Sequence, residues 1–137
     1  MLTNADLTIY NRKLNPETRQ YEWCRTELEN IYWYTDQKVQ ILADSKGLSS
    51  ADLIKIRIPT AGRAKQYLPA EEYAALPISE QPAYWTVENG DLFVKGIVTD
   101  EIKKESDLQN KHYVIGKVLS HSDNRFGVSP HIRIGGA

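Results

Sequence analysis

Apolar and polar residues alternate with a period of two along much of the chain, which places successive side chains on opposite faces of a strand. The clearest run is 52–58, where Ile54, Ile56 and Ile58 share one face while Lys55 and Arg57 take the other. Pro59 then ends it. Leu7 and Ile9 alternate with Thr8 and Tyr10, predicting a first strand with the aliphatic pair inward. Residues 22–35, rich in aromatic and β-branched side chains, predict a long second strand. Its phase breaks at Glu29-Asn30: Cys24, Thr26 and Leu28 hold one face, and Ile31 and Trp33 fall out of step with them. A bulge or bend near Asn30 restores the apolar groups to one side. A short strand is expected at 39–42.

Further on, Asn89-Gly90 predicts a tight hairpin turn between a strand ending near Val87 and another starting at Asp91, with Leu92 and Val94 inward. Residues 103–110 read as a charged, solvated loop with a helical turn from Ser106. A strand over 112–120 then carries Tyr113, Ile115 and Leu119, Asp123-Asn124 marks a turn, and 131–134 form the closing strand. The stretch 59–82 differs in kind, because it holds four of the six prolines and is excluded from a central strand. Within it, 69–76 predicts a two-turn helix with Pro69 at its start, Glu71 and Glu72 in the first turn and Pro77 after its end. Such an excursion serves either as a partner-binding element or as a lid packed on the sheet.

The fold class is therefore mainly β: a small antiparallel β-barrel or sandwich, with one short helix in a long loop, as a single domain over 1–137. Composition narrows the function. A net charge of −1 provides no global field for nucleic acid or anionic membrane, and no apolar run approaches the ~18 residues of a membrane span. The opening residues lack the basic and apolar regions of a secretion signal, so a cytoplasmic site of synthesis is expected. Cys24, the single cysteine, has no partner for an internal disulfide and reads as a reduced, buried thiol.

Catalytic patterns are missing. There is no Gly-x-Ser-x-Gly elbow, no His-Glu-x-x-His pair and no glycine-rich phosphate loop leading into a helix. His112, His121 and His131 lack cysteine or clustered carboxylate partners, and the acids at 100–107 are interleaved with Lys103 and Lys104. No catalytic residue, metal or cofactor is expected. Tyr32-Trp33-Tyr34 reads as core plus interface, since neighbours on a strand face opposite ways and at most two of the three share a surface.

The segments 2–11, 25–36, 51–59, Tyr84-Trp85-Thr86 with Asn89-Gly90-Asp91 and Lys95-Gly96, and Ser122-Asp123-Asn124-Arg125 together resemble an uncharacterised family encoded in prophages of Gram-positive gut bacteria and their relatives. In strand order the chain is also similar to the head-closure, or stopper, proteins of long-tailed phages. That resemblance implies a non-enzymatic virion protein at the head-tail junction. It would form a ring of identical copies between portal or adaptor and tail-side proteins, with incidental contact to packaged DNA and none to membrane. A minor capsid or tail-completion protein and a small non-catalytic binding module are the alternatives. The expected partner-binding residues are Gly62, Arg63, Lys65 and Tyr67 in the excursion, and Phe126 and Val128 in the loop before Pro130.

Overall fold

A computed structural model describes residues 3–15, 17–35, 54–102, 106–109 and 114–137. The strand expected at 39–42 lies outside them. Among the described residues the fold is mainly β, as the alternation requires. Its principal strands are β1 (Ala5–Asn15), β2 (Gln20–Thr35), β3 (Ile54–Pro59), β6 (Leu92–Lys95), β7 (Ile115–Asn124) and β8 (His131–Gly136). All their pairings are antiparallel and follow the circular order β1-β2-β3-β8-β7-β6, with β6 returning to β1, so this six-stranded sheet closes as a barrel. Closure removes the exposed edges that an open sheet of this size presents.

The excursion folds onto one end. It contains β4 (Gln66–Tyr67), α1 (Ala70–Ala75) and a 3-10 turn (Gln81–Ala83), and β4 pairs in parallel with β5 (Tyr84–Trp85). Tyr67 and Trp85 meet edge to face, their ring centroids 5.0 Å apart, and both belong to the barrel core with Leu7, Ile31, Ile56 and Ile134. The segment is thus a packed lid at its base. α1 is one residue shorter at each end than the expected helix: Pro69 is its N-cap and Leu76 is already extended. Lys13 fastens the lid to β1, donating to the Gln81 side chain at 3.3 Å and lying 4.9 Å over the Tyr73 ring.

The break in β2 is a bulge. Ala5 pairs with Ile31 but Leu7 pairs with Leu28, so Asp6 faces both Glu29 and Asn30. Asn30 takes a positive φ of 59°, which asparagine tolerates, and its N–H donates to the Asp6 carboxylate at 3.0 Å. The phase shift between Leu28 and Ile31 therefore leaves both in the core.

Several strand assignments come out differently. Leu92 and Val94 point away from the barrel, and Phe93 fills it. A second apolar cluster covers that outer side: Tyr10, Leu92 and Val94 pack with Val98, Ile102 and Leu108, the last on α2 (Ser106–Gln109). The helical turn from Ser106 is present, but α2 is a cover with Leu108 fully buried, where a solvated loop is expected; the other residues of 103–110 lie outside the described ones. For the same reason Thr8 and Tyr10 are buried on the face expected to meet water; the Tyr10 hydroxyl donates to the Asp100 carbonyl at 2.6 Å, and Thr8 bridges Gly96 and Val98.

Asn89-Gly90 does form a turn, closed by Asp91 N–H to the Glu88 carbonyl at 3.1 Å, with Gly90 alone at positive φ (97°). It joins no hairpin, because β5 pairs with β4 and β6 pairs with β1 and β7. Leu119 is exposed where an inward position was expected: the β7–β8 register slips between Val118 and Ser120, and Leu119 is the extra residue. β7 continues through Asp123 and Asn124, so the turn comes later, at 125–130. Cys24 is half-buried and free.

Candidate interaction surface

The β7–β8 connection begins where Asn124 pairs with His131. Arg125 is its anchor. The guanidinium takes both Asp123 carboxylate oxygens, Nε at 2.8 and 2.9 Å and Nη2 at 2.7 Å, and Nη1 donates to the Tyr67 carbonyl at 3.2 Å. Its centre also sits 5.1 Å from the Tyr67 ring centroid. These bonds lower the Asp123 pKa below the usual carboxylate value, and the carboxylate raises that of Arg125. A polar clasp at the stem thus joins the hairpin to the lid.

Beyond the clasp the loop turns outward. Gly127, with φ 134°, separates Phe126 and Val128, whose relative exposures are 91% and 105%. The return leg is fixed where the Thr60 N–H donates to the Pro130 carbonyl at 3.2 Å and the His131 Nδ1 donates to the Ser129 carbonyl at 2.8 Å. Two apolar side chains therefore project from a stem secured on both sides.

Loop 60–65 flanks this tip through the Thr60–Pro130 bond. Arg63 turns back on the protein, donating from Nε to the Pro59 carbonyl, from Nη1 to that of Glu29 at 2.6 Å and from Nη2 to that of Asn30 at 2.9 Å. Partial burial lowers its pKa from the ordinary arginine value. The bonds to Glu29 and Asn30 satisfy carbonyls at the β2 bulge and the one to Pro59 ties the end of β3, so the guanidinium is occupied in holding loop to barrel. Gly62, at φ 74°, forms the loop's exposed corner, and Lys65 is half-buried beside it. Leu28, Asn30, Pro59, Arg63 and Lys65 line an open groove of about 440 Å³ between loop and bulge.

The six expected contact residues thus separate by role. Phe126 and Val128 share the tip, Gly62 and Lys65 the neighbouring loop, and Arg63 is mainly structural. Tyr67 is displaced from the list: only 5% exposed, it plugs the barrel beneath Trp85, and burial raises its phenol pKa. The contribution of Arg125 was not foreseen, although an Asp-x-Arg pair beside a turn, as in Asp123-Asn124-Arg125, is a local signal for such a clasp. Among the described residues no three of His, Cys, Asp and Glu gather as metal ligands, and no helix is long and apolar enough to cross a membrane.

Barrel, lid and exposed tip define a small β-barrel domain that offers a projecting apolar knob. The chain belongs to the family of unknown function DUF6751, whose model matches residues 2–137. No curated protein and no solved structure matches it.

Proposed function

We propose that this chain is a non-catalytic assembly protein of a phage particle, acting at the head-tail junction in a ring of identical copies. One observation carries the reading: Phe126 and Val128 are held fully in water on a stem fixed by Asp123, Tyr67 and Thr60. Exposed apolar side chains on a rigid mount lose little conformational freedom on docking, and burying this pair contributes roughly 3–5 kcal/mol per contact. A ring is built from heterologous contacts, so the knob of one copy meets a different surface on its neighbour or on the portal-side or tail-side protein. The sequence resemblance to prophage and stopper proteins supports the location. Gly62 and Lys65 would make the incidental contact with packaged DNA.

Immunogold labelling of particles from an induced lysogen that encodes the chain tests this reading. Gold confined to the head-tail junction is expected. Label over the shell or along the tail would replace it with a minor capsid or tail-completion role, and particles without label, with the epitope accessible, would overturn a virion role.

A further inference from the structure

The near-neutral net charge conceals an uneven distribution. In the β2–β3–β8–β7 wall, residues paired across strands share a face, and the register gives three outward rows. They are Tyr34, Lys55, Gly135 and Ser120; Tyr32, Arg57, Arg133 and Ser122; and Pro59, His131 and Asn124. The intervening positions Trp33, Ile56, Ile58, Ile132 and Ile134 point into the core. The outward rows contain three basic residues, two tyrosines and no carboxylate.

Two features point to a ligand. Arg57 and Arg133 lie directly opposite each other on β3 and β8, an arrangement that destabilises a sheet unless an anion offsets it. Both are exposed, and neither has a carboxylate partner among the described residues, whereas Arg25 is held by Glu27 and Glu101 and Arg125 by Asp123. Secondly, Tyr32 and Tyr34 lie on the same face with ring centroids 5.3 Å apart, and the Arg57 guanidinium stands 5.9 Å over the Tyr34 ring. Cations interleaved with rings are the elements by which a sheet surface holds a polyanion bearing flat bases.

We infer that the outer β2–β3–β8–β7 wall binds single-stranded nucleic acid, with Lys55, Arg57 and Arg133 on phosphates and Tyr32 and Tyr34 against bases. The tyrosines decide for a single strand, because a duplex keeps its base faces stacked inside. This site is separate from the Phe126–Val128 knob and stands or falls independently of it.

The test is fluorescence anisotropy of a labelled oligothymidylate of about 12 nucleotides with the full chain. With three phosphate contacts the slope of log affinity against log salt is about −2, so binding weakens about 20-fold from 50 to 200 mM salt. Arg57→Gln with Arg133→Gln reduces the slope to about −0.7. Tyr32→Ala or Tyr34→Ala weakens binding about tenfold or more and leaves the slope unchanged. Arg19→Asn, which removes one charge in the β1–β2 turn at a φ of 57° that asparagine accepts, changes neither affinity nor slope. Arg57→Lys with Arg133→Lys retains the slope, guarding against a fold defect. No binding at 50 mM salt, a loss from Arg19→Asn equal to that of the wall variants, or duplex bound as tightly as the single strand would each overturn the inference.

Discussion

Gly116→Ala tests the packing at the centre of the barrel. Gly116 pairs directly with Phe93 across β6 and β7, and its φ is not positive, so its backbone suits any residue. Space is the constraint. A Cβ there would lie 2.6 Å from Phe93 Cε2 and 3.0 Å from Cε1, with Cζ nearer still, against the ~3.5–4.0 Å of an ordinary carbon contact. The ring cannot retreat freely: Trp33 meets it edge-on at 5.5 Å, and Gly136 gives way to it on another side. Forcing a methyl into such a site costs about 1–3 kcal/mol, while the stiffer unfolded chain returns about 0.4–1 kcal/mol. A net loss of about 1–2 kcal/mol is expected, lowering Tm by about 3–8 °C for a domain of this size. Urea and thermal unfolding followed by circular dichroism measure it. Phe93→Leu in the same chain should recover part of the loss, with a coupling of at least about 0.5 kcal/mol in the double-mutant cycle. A Gly116→Ala protein as stable as the parent, or one whose loss adds simply to that of Phe93→Leu, would refute the assignment of Gly116 as the socket for that ring.

Other substitutions probe the remaining junctions. Asp91 is buried and accepts from the Asn11 side chain at 2.8 Å, the Arg12 N–H at 3.0 Å and the Glu88 N–H at 2.8 Å, so Asp91→Ala should cost about 3 kcal/mol in urea unfolding. Arg63→Ala removes the donor to three carbonyls, and limited proteolysis should then cut within 60–65 at least severalfold faster, leaving the barrel intact. Asp123 titrates below the normal carboxylate range because Arg125 favours its charged form. Its contribution to stability is therefore present above the unfolded-state pKa of about 3.9 and lost as pH falls through the lower folded value. A carboxyl NMR titration locates that midpoint, and Arg125→Gln should move it back toward the unfolded value.

Much of the barrel was legible because alternation is a local property. Ile54, Ile56 and Ile58 announced β3, and the phase break at Glu29-Asn30 announced the bulge. Two-sided burial was not legible, since it depends on a distant segment. Thr8 and Tyr10 look solvent-facing until Val98, Ile102 and Leu108 are folded over them, and that cover also exchanged the roles of Leu92 and Val94 with that of Phe93. The glycines that seat Phe93 gave no signal, because Gly116 and Gly136 matter through a ring met only in the closed sheet. At the surface, Phe126 and Val128 were identifiable by lying between polar residues, glycine and proline with no periodic neighbours. Tyr67 shared the excursion's polar context but was drawn inward by Trp85, and Arg63 by the carbonyls of the bulge.

Incorporation of the chain into purified particles, quantified by mass spectrometry for the parent and for Phe126→Ser with Val128→Ser, tests the central proposal most directly. Both side chains lie in water, so the double variant should match the parent in unfolding free energy within the ~0.5 kcal/mol typical of surface changes. The account predicts parent protein in the particles and at least a tenfold lower amount of the variant. Equal incorporation of a folded variant, or particles without the parent chain, would contradict it.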